Sequence, residues 1–192
     1  GTRKARRVRW GRPSQAAAQS NGQAMPERCS LPGLAQPPRC GSIEVPENPA
    51  HPQGRRLQIG VAVVPAKKDR AHSDPIVVLM GGPGEAAIVE AAYYAQQFDA
   101  LLADRDLLLV DQRGTGRSNA LRCQLYSPEA PATSLRDIFP VDVAQRCAQR
   151  LQQQADLTQY TYAHFARDLE HVRRTLGYGP LNLFGGSYGT RA

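Results

Sequence analysis

Apolar residues are spaced differently in the front and the rest of this chain. In RRLQIGVAVVPA (55–66), Leu57, Ile59, Val61 and Val63 occupy alternate positions, the period of a strand with one buried face. SIEVP (42–46) is a shorter strand. The turn-forming stretch ENPAHPQG between the two predicts that they pair antiparallel. Residues 30–40 are Pro-rich and read as irregular. From residue 76 the runs become continuous: IVVLM (76–80), DLLLV (106–110) and LNLF (181–184) each have the composition of a strand buried on both faces in a parallel sheet. Between them, helical spacing covers about 85–102 (Ala87, Ala91, Tyr94, Phe98, Leu101), 142–154, and 162–176 (Tyr162, Phe165, Leu169, Val172, Leu176). A Gly-Tyr-Gly-Pro stop follows the last of these, and 119–140 is irregular. The pattern predicts an α/β fold, a mostly parallel sheet with an antiparallel N-terminal strand pair.

Composition changes this picture only at the chain's front. The net charge of +7 is concentrated in Arg3, Lys4, Arg6, Arg7, Arg9 and Arg12; without these six, 18 basic residues balance 17 acidic ones. The body is therefore close to neutral, which argues against nucleic acid as a partner. No apolar run is long enough for a membrane helix. Residues 1–26 carry the charged start and Ala-rich end of an export signal but not its apolar centre, and are expected to be a disordered basic tail. Residues 27–192 form the folded part. The four cysteines have no zinc-like spacing, so no metal is expected. Sequence neighbours suggest Cys29–Cys40 and Cys123–Cys147 disulfides in a secreted or periplasmic protein; four separate thiols in a reduced cytosol are the alternative.

The chemistry lies in two glycine-rich turns. Gly185-Gly186-Ser187-Tyr188-Gly189 follows the apolar run LNLF directly. A G-x-S-x-G turn between strand and helix presents a nucleophilic serine, and the flanking residues must be small because strand and helix nearly collide. Gly185 and Gly189 meet that need, and Gly186 is expected to remove one more side chain from the crowded turn. Met80-Gly81-Gly82-Pro83-Gly84 follows the strand at 76–80. Backbone N–H groups fixed in such a loop can stabilise the oxyanion of an acyl-transfer intermediate. The expected donors are Gly82 and Tyr188, because Pro83 has no N–H.

GGPG, then DQRGTGRS, then GGSYGT, in this order and spacing, resembles the α/β-hydrolase branch that contains prolyl aminopeptidases and tripeptidyl aminopeptidases. The Cys-Gly-Ser-Ile-Glu-Val-Pro start resembles the secreted tripeptidyl-type members. The resemblance spans about residues 26–192 and implies the N-terminal part of an α/β-hydrolase fold. It also implies a serine exopeptidase that releases residues from peptide N-termini through an acyl-enzyme on Ser187, with a peptide or small ester as substrate and no cofactor. An esterase of the same fold is the alternative, and a non-enzymatic binding protein or remnant the alternative of another class. Met80 stands where the family often has histidine, a change that a backbone oxyanion hole should tolerate. Asp111–Ser118 would be a structural loop, with Arg113 tying backbone carbonyls. Read without the family, its consecutive amides and Arg117 could instead cradle an anion.

Two further patterns compete with this reading. Gly82, Gly84 and Ala87 fit G-x-G-x-x-A, a dinucleotide fingerprint, but Pro83 stiffens the loop and Glu85 would face the pyrophosphate. His164, Asp168 and His171 share a helix face that could hold a metal or supply a base; the plainer expectation is a polar face opposite the apolar stripe. In this fold the triad runs Ser, Asp, His along the chain, so the partners of Ser187 belong after it. The sequence therefore reads as a fragment lacking the later strands, the Asp, the His and any cap. Alone, it is expected to be inactive, and poorly stable because its last strand would be left as an open apolar edge.

Overall fold

The computed structural model describes residues 24–68, 72–124 and 140–192. Most of the basic tail and most of the irregular stretch at 119–140 lie outside the described residues. Six strands form one sheet in the order β1-β2-β3-β5-β4-β6. They are β1 (Ala24–Arg28), β2 (Arg39–Pro46), β3 (Arg56–Val64), β4 (Ile76–Leu79), β5 (Leu107–Val110) and β6 (Asn182–Gly185). β2 and β3 pair antiparallel, as the turn between them predicts, with Ile43 opposite Ile59. β3 joins β5 antiparallel, and β5, β4 and β6 run parallel.

Two apolar layers cover the sheet. On one face, Phe165, Leu169, Val172 and Leu176 of and just after α3 (Tyr162–Thr175) pack on Ile59, Val61, Val77 and Leu108. On the other, Ala87, Ile88, Ala91 and Leu102 pack on Ala62, Val64, Val78 and Leu109. The second layer includes α1 (Ala91–Gln97), while α2 (Val141–Gln152) buries Cys147 and Leu151. β3 alternates in sequence, yet from Ile59 onward it is buried on both faces, because it sits between β2 and β5 under both layers. Thr161 caps α3, its hydroxyl accepting from the His164 N–H, and Gly177 follows the helix at φ 75°.

Three elements differ from expectation. β1 begins within the segment read as a disordered tail. AMPER carries no strand alternation; its partner is the edge of β2, and the Cys29–Cys40 disulfide closes the link just beyond it. β2 starts at Arg39, inside the stretch read as irregular. The single helix expected over 85–102 is a 3-10 turn (Ile88–Glu90), α1 and a second 3-10 turn (Leu101–Ala103). A 3-10 turn advances 3.0 residues rather than 3.6, which shifts the stripe, so Leu102 is buried and Leu101 is 47% exposed. β6 is the open apolar edge expected of the last strand: it is paired only with β4 among the described residues, with Leu183 58% and Phe184 45% exposed.

Both expected disulfides form, Cys29–Cys40 and Cys123–Cys147, with Cα atoms 5.7 and 5.9 Å apart. Among the described residues no helix is long and apolar enough to cross a membrane. Replacing Cys29 and Cys40 together by Ala should lower stability by about 2–4 kcal/mol, as loss of a short-loop disulfide does. Denaturant unfolding without reductant measures this, and an unchanged midpoint would mean that the bridge holds nothing in place.

Candidate active site

β6 ends at Gly185, Gly186 remains extended, and Ser187–Arg191 wind into a 3-10 turn where an α-helix start was expected. At the corner Ser187 has φ 51°, a left-handed conformation that non-glycine residues rarely adopt, and its side chain is exposed. Strain of this kind persists only where the surroundings fix it. Here the Gly189 N–H donates to the Gly186 carbonyl at 2.8 Å, and the Thr190 hydroxyl donates to the Ser187 carbonyl at 2.7 Å.

Close approach explains the flanking glycines. A Cβ on Gly189 would overlap the carbonyl oxygen of Leu79 at the end of β4, and one on Gly185 would lie 2.7 Å from the Gly189 oxygen. Gly186 does not follow this logic. A Cβ there meets nothing within 4 Å, so the expected crowding at that position is absent.

The loop after β4 lies against this corner. A Cβ on Gly81 would be 3.5 Å from the Gly186 oxygen and 3.6 Å from the Ser187 Cβ. Gly82 and Gly84 both have positive φ, 104° and 99°, which bends the loop back so that Gly82 faces the backbone of Gly84 and Glu85. Among the described residues no protein group accepts from the Gly82 N–H. Tyr188 packs its ring on Tyr162 at the start of α3, with centroids 5.3 Å apart. Tyr162 was read only as part of an apolar stripe, and burial pushes its hydroxyl up to about 12.

The DQRGTGRS loop is a brace. Asp111 is buried and accepts from the N–H groups of Ile88 (2.9 Å) and Arg117 (2.8 Å), which ties the segment after the GGPG loop to the end of β5. Ser118 donates its hydroxyl proton to the Asp111 carbonyl and accepts from the Gly60 N–H. The amides of Gly114, Thr115, Arg117 and Ser118 all have internal acceptors, so the loop has no free cradle for an anion. The Ile88 N–H is likewise taken by Asp111, and α1 starts only at Ala91; the G-x-G-x-x-A pattern does not open a helix that could face a pyrophosphate.

Arg113 does tie backbone carbonyls, donating to those of Glu47 (2.8 Å), Gln159 (2.9 Å) and Pro46 (3.4 Å). It also forms a two-pronged ion pair with Asp168, both contacts 2.7 Å. This corrects the reading of Asp168 as part of an outward polar face with His164 and His171: Asp168 is 3% exposed, and His171 faces solvent. Position 168 lies three residues after Phe165, beside the apolar stripe, and that spacing is the sequence signal for burial. Burial pushes the Asp168 carboxyl up, while the facing guanidinium pulls it back down. Glu47 gave no signal in the sequence. It is buried and accepts from Arg55, from the Tyr160 hydroxyl and from the Asp156 N–H.

The histidines lie elsewhere. His72 sits between Asp74 and Asp104 before β4, whereas Ser187 follows the opposite end of the parallel β6. His51 is exposed in the β2–β3 loop, and the His164 ring is 2.8 Å from the Gln159 carbonyl.

Two pairs of substitutions test this geometry. Asp168→Ala should destabilise by about 3–5 kcal/mol because it strands a buried guanidinium, while Arg146→Ala, which breaks an exposed pair with Asp142, should leave the urea midpoint unchanged. Equal effects would remove Arg113–Asp168 from its place in the scaffold. Gly189→Ala should cost about 3 kcal/mol, and Gly186→Ala no more than about 0.5 kcal/mol. A tolerated Gly189→Ala would contradict the close packing of the turn on β4.

A family model described as alpha/beta hydrolase fold matches residues 74–191. The tripeptidyl aminopeptidase of Streptomyces lividans is 28% identical over 203 residues, covering 94% of this chain and 37% of that protein. The serine protease Hip1 of Mycobacterium tuberculosis is 29% identical over 169 residues, covering 79% of this chain and 31% of the relative. Among solved structures, a proline iminopeptidase from Mycobacterium smegmatis aligns with a TM-score of 0.42 at 23% identity, over 78% of this chain and 36% of that one. The chain thus spans little more than a third of the length of the tripeptidyl relative. With the family match covering everything from β4 through the serine turn, the chain belongs to the alpha/beta hydrolase fold family.

Proposed function

We propose that the full-length protein is a serine exopeptidase that releases residues from the N-termini of peptides through an acyl-enzyme on Ser187. The observation that carries this reading is the left-handed Ser187 held, exposed, against the GGPG loop. Ser187 Oγ attacks the scissile carbonyl, and the amine leaves with a proton. The oxyanion forms beside the N–H groups of Gly82 and Tyr188. Water then attacks the ester, releasing the acyl part and restoring the hydroxyl. In α/β-hydrolases the carboxylate and the histidine follow the serine along the chain. Both are assigned here to the part of the relatives' length that this chain does not span. The names of the tripeptidyl aminopeptidase and the serine protease among its relatives support peptide rather than simple ester chemistry. The two disulfides fit an exported protein.

The full-length protein should hydrolyse aminoacyl- or peptidyl-naphthylamides with a free amine, and Ser187→Ala should lower kcat by about 10⁴-fold or more. Turnover confined to N-acetylated esters would make it an esterase instead, and activity unaffected by Ser187→Ala would end the reading.

A further inference from the structure

The serine turn is short and does little to hold itself. Ser187–Arg191 makes one 3-10 turn, closed by the Gly189 N–H on the Gly186 carbonyl and the Thr190 hydroxyl on the Ser187 carbonyl. Neither bond involves Tyr188. Among the described residues no protein group accepts from the Tyr188 N–H, so no hydrogen bond fixes its direction. A donor left open for an oxyanion has to be aimed by packing.

What packs on Tyr188 is Tyr162, with ring centroids 5.3 Å apart and planes tilted by 41°. Tyr162 is the first residue of α3, and α3 is firmly held: Thr161 caps its start, Phe165, Leu169 and Val172 are buried against the sheet, and Asp168 is paired with Arg113. Tyr162 lies three residues before Phe165, so it carries the buried face of α3 up to the serine turn. The contact is made by the ring. The Tyr162 hydroxyl is closed off from solvent and makes no aligned hydrogen bond among the described residues. Burial, and then the phenol of Tyr188 beside it, pushes that hydroxyl up to about 12, so it stays neutral at neutral pH.

We propose that Tyr162 is a positioning residue: by packing on the Tyr188 ring, it aims the Tyr188 amide at the oxyanion of the acyl-transfer reaction. This rests on the serine-hydrolase reading above and adds a part to it. A side chain clamped at its ring leaves the adjoining peptide plane little room to turn, and the N–H direction turns with that plane. Ser187, at positive φ, is the other end of the same peptide unit, so the clamp also bears on the nucleophile's corner. Loss of the ring leaves ground-state binding as it is and weakens the transition state, where the oxyanion exists.

The test uses the full-length protein and a peptidyl- or aminoacyl-naphthylamide. Turnover is expressed per active site titrated to completion with a fluorophosphonate, so misfolded molecules are not counted. Tyr162→Leu should lower kcat about tenfold with KM unchanged, and Tyr162→Phe, which keeps the ring, should retain nearly all of it. Phenylboronic acid supplies a readout that a merely structural role would not move, because its boron accepts the Ser187 oxygen and places another oxygen where the oxyanion forms. Its inhibition constant should weaken about tenfold in Tyr162→Leu, in step with kcat. An unchanged kcat per titrated site, a raised KM in place of the lowered kcat, or unchanged inhibition by phenylboronic acid would each overturn the proposal. Equal losses in Tyr162→Phe and Tyr162→Leu would overturn it too, by assigning the effect to the hydroxyl. Absence of wild-type turnover, or turnover indifferent to Ser187→Ala, would instead defeat the serine-hydrolase reading itself.

Discussion

The serine turn exists because Gly189 backs directly onto the carbonyl of Leu79. That contact joins the two glycine-rich segments of the site: one leaves β6, the other leaves β4, and the strands are parallel neighbours in register from Ile76–Asn182 to Leu79–Gly185. Any side chain at position 189 would drive the two segments apart. With none, the 3-10 turn closes, Ser187 is held at positive φ, and Gly81 comes up against it. The serine turn and the GGPG loop are thus placed by the sheet's own register.

A set of buried charges holds the surrounding loops at the ends of β5 and β2. Asp111 fixes the segment after the GGPG loop through the Ile88 amide, and Ser118 fastens the same loop to Gly60 on β3. Arg113 reaches across to the end of β2, to the segment before α3 and to Asp168 within α3. Each group is buried and each has its partners, the condition under which buried charge is tolerated. Next to Ser187, Tyr188, the residue proposed to supply the second oxyanion amide, packs its ring on Tyr162 of α3. α3 therefore contacts the site region at two places, through Asp168 to Arg113 and through Tyr162 to Tyr188.

Much of this was legible in the sequence, and the failures have physical causes. Continuous apolar runs located β4 and β5, because a strand buried on both faces needs no polar positions. Glycine spacing located the tight serine turn and the loop beside it, since close backbone approach has few chemical solutions. β1 was not legible: its residues have no strand pattern, and pairing to the edge of β2 decides their conformation. β6 was legible as a strand from its continuous apolar run, and its open apolar edge was expected as well. Asp168 and Glu47 were missed because their burial depends on partners more than fifty residues away in the chain. Gly186 was credited with a steric role that the local geometry does not require.

Everything functional in this account depends on Ser187 being a nucleophile and not merely a strained residue in a tight turn. The most direct test is to treat the full-length protein with a fluorophosphonate and locate the adduct by peptide mass. The account expects one covalent adduct, on the peptide that contains Ser187. No adduct, or one on a different residue, would mean that the turn is shaped like a nucleophile elbow without being one.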